Sequence, residues 1–233
     1  MLLTLLLDFS WTQLLQPQWY IENGGLWFVV FVVFAETGLF AGFFLPGDSL
    51  LFVTGIFSND LVKAGLGFNT HNSFLNLLAL GIVISIAGIL GNRLGYWFGK
   101  KSGPFLFHRK DTFFFKKKYL LQARDFYDKH GGGAIVFARF LPIVRTFAPI
   151  VAGIVEMDKK KFAFYNIIGS VAWVFTMLFA GHYLQAVIKR YFHFDLKDHL
   201  EFIVIGIVLL TTAPLIIKMF TGKKKSGTPD THS

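Results

Sequence analysis

Phe137-Ala138-Arg139-Phe140-Leu141-Pro142-Ile143-Val144-Arg145-Thr146-Phe147-Ala148-Pro149-Ile150-Val151-Ala152-Gly153 is an apolar run broken by two arginines and two prolines. The twelve Leu, Ile, Val and Phe residues between positions 134 and 155 favour membrane insertion by roughly 4 to 7 kcal/mol, and two central arginines oppose it by roughly 5 to 7. The balance is near zero. Pro142 and Pro149 also remove backbone donors, so this stretch needs a protein-lined cavity, where broken helices are tolerated. Arg139 and Arg145 stand symmetrically about Pro142. On an ideal helix they would diverge, whereas a break at Pro142 lets both guanidinium groups converge on one anion, and bidentate geometry suits phosphate. A second reading pairs the same arginines structurally with Glu36 and Asp48, the acids of another apolar segment. The two readings are compatible at different stages of a cycle.

Composition supplies the setting. Of 233 residues 54% are hydrophobic and 16% charged, with a mean hydropathy of +0.54. A soluble core of this size could not hide that much apolar surface, which argues against a soluble enzyme. The absence of cysteine excludes disulfides, thiol nucleophiles and Cys-ligated zinc or iron–sulfur sites, and no cofactor or metal is expected. The formal charge of +9 lies between apolar runs, where it orients a chain on anionic headgroups rather than binding nucleic acid. Most of the 23 Lys and Arg residues fall at 100–129, 159–161 and 218–225. The positive-inside rule makes those regions, and the C-terminus, cytoplasmic. Basic residues flank 134–155 on both sides, so that segment is expected to re-enter rather than span.

The expected fold is an all-α integral membrane domain over 1–233, an inverted-repeat transporter-like arrangement with two opposed re-entrant hairpins. Residues 1–20 read as an interfacial helix, with a short first span as the alternative, and make a poor signal peptide. Residues 26–57 form the first broken hairpin, 74–98 a transmembrane helix, 112–130 an amphipathic cytoplasmic helix and 134–155 the second hairpin. Transmembrane helices follow at 162–188 and 202–220, then a basic disordered tail at 221–233. In the first hairpin, Glu36 and Asp48 would lie roughly 18 Å apart on one continuous helix. A break at Pro46-Gly47 folds the segment back, with Asp48 and Ser49 suited to cap the next helix. A full span over 26–45 is the alternative. Phe-Leu-Pro recurs in both hairpins, and topology carries the rest of the symmetry. Broken helices that meet near the midplane are the architecture of secondary transporters.

Other residues have plainer readings. Gly91, Gly95 and Gly99 recur every fourth residue and suit close helix packing. Arg93 and Tyr96 are secondary candidates for headgroup contact, with interfacial anchoring as the simpler role. His182 stands alone in an apolar helix, where packing or a backbone hydrogen bond is simpler than a proton relay. None of the seven histidines falls among the buried arginines, so a lipid phosphatase lacks a nucleophile and the chain does not read as an enzyme.

Three blocks carry a resemblance. They are Glu36 with Phe44-Leu45-Pro46-Gly47-Asp48-Ser49, then Gly91-Asn92-Arg93-Leu94-Gly95-Tyr96-Trp97-Phe98-Gly99, and then Phe137 through Arg145, ending in Pro149 and Ala152-Gly153. In these the chain resembles the DedA family of SNARE-associated or VTT-domain membrane proteins, over most of residues 26–190. The resemblance implies a bacterial cytoplasmic-membrane protein with two opposed re-entrant hairpins that translocates polyprenyl phosphate, most notably undecaprenyl phosphate, or a related phospholipid. It also implies dependence on the proton motive force. Glu36 and Asp48 match the family's essential acids, and Arg139 and Arg145 its essential basic pair. The expected partners are the lipid substrate, anionic headgroups and protons. A proton-coupled antiporter for small cations or drugs, a general phospholipid scramblase and a structural scaffold are the alternatives; the paired arginines speak against the antiporter.

Overall fold

The computed structural model describes residues 17–39, 47–67, 72–108 and 132–192, with positions 125, 127, 129 and 206. Every element in this range is a helix. The interfacial helix expected over 1–20 lies outside it except for its last residues. So do Pro46, most of the helices expected over 112–130 and 202–220, and the tail expected at 221–233.

Among the described residues two helices are long and apolar enough to cross a membrane: α4 (Ser73–His108) and α7 (Lys159–Phe192). At 36 and 34 residues they measure about 50 Å or more at 1.5 Å per residue. The 74–98 and 162–188 stretches form their apolar portions, and the helices extend further because the basic flanks, including Lys100, Lys101, Lys189 and Arg190, stay helical. Around them lie α1 (Pro17–Gly38), α2 (Gly47–Ile56), α3 (Ser58–Leu66), α5 (Gly133–Ala138) and α6 (Pro142–Ile154). α1 is kinked at Gly25, whose φ of 56° and ψ of −153° are open only to glycine.

The breaks have local causes. α5 ends at Ala138, Leu141 is extended at φ −109° and ψ 106°, and α6 restarts with Pro142 in its first turn. Proline's fixed φ and missing donor suit that position, and they disfavour a helical conformation in the residue before it. At its other end α6 closes in a Schellman turn: the Met157 amide donates to the Ala152 carbonyl at 3.0 Å and the Glu156 amide to Gly153 at 3.1 Å. The left-handed residue of that turn is Glu156, with φ 56°, where glycine is usual. Asp158 then caps α7, accepting from the Lys161 amide at 2.8 Å.

Packing joins each half of the chain to the other. α2 packs on α7 and α6 on α4, and both crossings use the same device. A Cβ on Gly55 would strike the Leu178 carbonyl, and one on Gly181 the Phe52 carbonyl. A Cβ on Gly153 would strike the Tyr96 carbonyl, and one on Gly99 the Ile150 carbonyl. In both crossings each helix offers a glycine three residues after the carbonyl that its partner's glycine touches, so the backbones approach as small-residue interfaces allow. Gly91 makes a third close approach, against Thr37 and Gly38 of α1. One apolar cluster, including Leu26, Val33, Leu50, Leu80, Trp173 and Leu178, joins α1, α2, α4 and α7.

The outside is as telling as the inside. Large apolar side chains such as Phe31, Ile82, Ile86, Leu90, Ile167 and Leu184 are exposed, while the charged Glu36, Asp48, Arg139 and Arg145 are buried. Soluble proteins show the reverse. Between α1 and α4 an apolar cleft of about 380 Å³ opens, lined by Trp27, Phe31 and Phe34 on one side and Val83, Ile86 and Leu90 on the other.

Candidate functional site

Glu36 and Asp48 come together at Arg145. Glu36 stands in the last turns of α1 and is 1% exposed; Asp48 stands in the first turn of α2 and is 8% exposed. One guanidinium nitrogen of Arg145 donates to Glu36 Oε1 and the other to Asp48 Oδ1. The sequence distance between the acids is thus closed by a single cation from the opposite half of the chain. Gly47 is required beside them, because a Cβ there would overlap the Glu36 carboxylate. That carboxylate lies at the N-terminus of α2, where the helix dipole favours negative charge.

Trp173 of α7 completes this half of the site. It is fully buried, its indole N–H donates to Asp48 Oδ1 at 2.9 Å, and the Arg145 guanidinium lies 4.7 Å from its ring centroid. Arg145 is therefore held by two carboxylates and an aromatic face.

Arg139 has different company. It follows the last residue of α5 and is 1% exposed, and its Nη2 donates to Asn166 Oδ1 at 2.8 Å. Asn166 is tied to α4 through its amide, which donates to the Ile89 carbonyl at 3.1 Å. Ser170 Oγ donates to Asn166 Oδ1 at 3.3 Å, and Asn92 Nδ2 donates to Ser170 Oγ at 3.4 Å and to the Gly88 carbonyl at 2.6 Å. The two arginines, placed symmetrically in sequence, thus end in unlike surroundings. Glu36 Oε2, Arg139 Nη1, Arg145 Nε and Asn92 Oδ1 are buried with no hydrogen-bond partner. Buried polar atoms without partners are rare and point to unmet chemistry.

A model of the VTT domain family matches residues 45–183. Protein DedA of Escherichia coli strain K12 is 34% identical over 207 residues, covering 88% of this chain and 87% of that protein. Inner membrane protein YqjA of the same strain is 31% identical over 185 residues, 74% of this chain and 78% of that protein. An uncharacterised membrane protein of Mycobacterium tuberculosis is 31% identical over 210 residues, covering 88% and 85%. No solved structure matches the chain significantly. The chain belongs to the DedA family. It is accordingly a VTT-domain membrane protein.

The remaining candidates of this DedA-family chain fall outside the cluster. Arg93 is exposed on α4. Tyr96, a candidate for headgroup contact or interfacial anchoring, is buried: its ring stacks on Phe162 at 4.4 Å between centroids, and its hydroxyl donates to the Met157 carbonyl at 2.6 Å. It thereby holds the turn between α6 and α7. Gly95 and Gly99 face α6 and Gly91 faces α1. His182 has a partner that sequence could not supply, with Nδ1 3.2 Å from the buried Ser58 Oγ. Tyr127, one of the described positions between α4 and α5, donates its hydroxyl to the Ala148 carbonyl at 3.1 Å, and burial pushes its phenol up to about 12.

Asn166, Ser170, Trp173 and Asn92 were not among the sequence candidates. Their signal was present: Asn166, Ser170 and Trp173 are spaced i, i+4 and i+7 on a spanning helix, which puts them on one face.

Proposed function

We propose that this protein translocates a lipid phosphate, undecaprenyl phosphate in the first place, across the bacterial cytoplasmic membrane, driven by the proton motive force. The observation that carries the reading is the buried, charge-balanced cluster of Glu36, Asp48, Arg145 and Arg139 within an otherwise apolar protein. Two carboxylates and two guanidinium groups sum to zero when all are ionised. Each proton taken up by an acid leaves the site one unit more positive, and it frees donors of Arg145 for a phosphate oxygen. Headgroup and proton thus compete through one shared cation, which is a route to coupling.

In this reading Arg139 and Arg145 bind the headgroup near the midplane while the tail stays in lipid, alongside surfaces such as the α1–α4 cleft. Residues 26–57 and 134–155 re-enter from opposite faces, and the basic connections and C-terminus face the cytoplasm, as the charge distribution indicates. The duplicated glycine crossings support an inverted repeat, whose two halves could rock against each other about the fixed site. A small-cation antiporter fits less well, because Arg145 already occupies both acids that would coordinate the cation. The protein acts here as a carrier and not as an enzyme.

The test is translocation of undecaprenyl phosphate in proteoliposomes by wild type, Arg139→Gln and Glu36→Gln, with and without a pH gradient. Gradient-sensitive flipping that both substitutions abolish is the expected result. Wild-type vesicles no faster than empty ones, or normal flipping by Arg139→Gln, would refute the mechanism.

A further inference from the structure

The structure holds two buried arginines in one site but gives them partners of opposite character. Arg145 meets two carboxylates; Arg139 meets the neutral amide of Asn166, and its Nη1 has no protein partner. A buried cation whose direct partner is a neutral amide is costly, even with the Glu36 carboxylate acting on it from further off. An acid at position 166 would remove that penalty, yet an amide stands there. Its orientation is not free. Ser170 donates to Oδ1 and the Ile89 carbonyl accepts from Nδ2, so the oxygen faces the guanidinium. Asn92 braces Ser170 from α4. Gly169 lets the stem of Arg139 lie against α7, since a Cβ there would come within 3.1 Å of Arg139 Cγ.

We propose that Asn166 is a positioning residue that holds Arg139 aimed and clear of direct carboxylate contact as the permanent receptor for a phosphate monoester, while Arg145 is the cation released on protonation of its acids. This rests on the lipid-phosphate reading and goes beyond it by dividing the work between the arginines. The neutral amide sets the charge of the resting site, and with it which anions can enter. A carboxylate at 166 would neutralise Arg139 within the protein and shut the receptor. Removing an acid from Arg145 at the same time would restore the balance with the two arginines' roles exchanged.

The experiment titrates farnesyl monophosphate into the full-length protein in phosphatidylcholine nanodiscs, with inorganic phosphate in a parallel arm. Asn166→Asp is expected to weaken farnesyl phosphate binding by about tenfold or more, corresponding to about 1.4 kcal/mol. Glu36→Gln/Asn166→Asp is expected to return affinity to within about threefold of wild type, because the network's charges act as one unit. A purely structural role predicts that the double variant stays as weak as the single one, and that result would overturn the assignment. Wild-type affinity in Asn166→Asp would overturn it too, leaving the transport reading intact. Absence of farnesyl phosphate binding by wild type would remove both. Equal affinity for inorganic phosphate would overturn the lipid source while sparing the role of Asn166. Should Asn166→Asp fail to fold, Asn166→Leu decides: it removes the acceptor without adding charge, and unchanged affinity there counts against the inference.

Discussion

Replacing Arg145 by Gln removes the cation that pairs with both acids of the site, and its partners set the size of the loss. Arg145 donates to Glu36 and Asp48 and stacks on Trp173. Taking one member from a buried ion pair costs about 3 to 5 kcal/mol, because the other charge is left uncompensated. The lost cation–π contact with a desolvated Trp adds about 2. The sum, roughly 5 to 7 kcal/mol, is comparable with the whole stability of many domains, about 5 to 15. The expectation is therefore a large loss in Arg145→Gln, measured by unfolding in mixed micelles at increasing SDS fraction. Most of that penalty is a stranded charge and not a lost contact, so removing an acid as well should repair it. With Glu36→Gln added, the site again sums to zero, Asp48 against Arg139. The double variant should recover about 2 to 3 kcal/mol relative to additivity, the scale of coupling within one network. Both variants should still fail to transport. If the two substitutions are simply additive in stability, the carboxylate and the guanidinium do not share an energy in the folded protein, and the ion-pair account of the site is refuted.

Other expectations follow from single features. Trp173→Phe keeps an aromatic side chain, though a smaller one, and deletes the donor to Asp48; it should cost at least about 1.5 to 3 kcal/mol in the same unfolding measurement, the range for a hydrogen bond to a charged group. Glu156→Gly relieves a left-handed residue in the turn after α6 and should raise the melting midpoint by about 1 kcal/mol equivalent; a lower midpoint would refute that account. Gly99→Ala drives a methyl into the Ile150 carbonyl, and should destabilise by about 1 to 3 kcal/mol, whereas Gly133→Ala, with open space around it, should be neutral or better by up to about 1 kcal/mol. Tyr127 has its phenol raised to about 12 in the folded protein, so the neutral form is favoured and its contribution is present below about pH 10, the value for an exposed phenol. It is lost as pH rises toward about 12. The stability advantage of wild type over Tyr127→Phe should therefore shrink between pH 9 and pH 11.5, and an advantage constant over that window would count against a buried phenol.

Much of this protein was legible without coordinates, and the reason is the solvent. A bilayer imposes length and apolarity on a spanning helix and penalises every charge and proline within it, so residues 74–98 and 162–188 declared themselves, and Glu36, Asp48, Arg139 and Arg145 stood out as exceptions. Pro142 marked the restart of α6 because proline's missing N–H is a local property of the chain. Pairing was not local. Sequence treated the two arginines as equivalent across Pro142, and only packing decided that one meets two carboxylates and the other an amide from residue 166. Tyr96, expected near headgroups, is turned inward by the ring of Phe162 and the carbonyl of Met157, contacts more than sixty residues away along the chain. His182 found Ser58 in the same way. One-dimensional pattern reports what each residue costs in lipid; which residue compensates that cost depends on where the α2–α7 and α4–α6 crossings bring the helices together, and that is a property of the assembled fold.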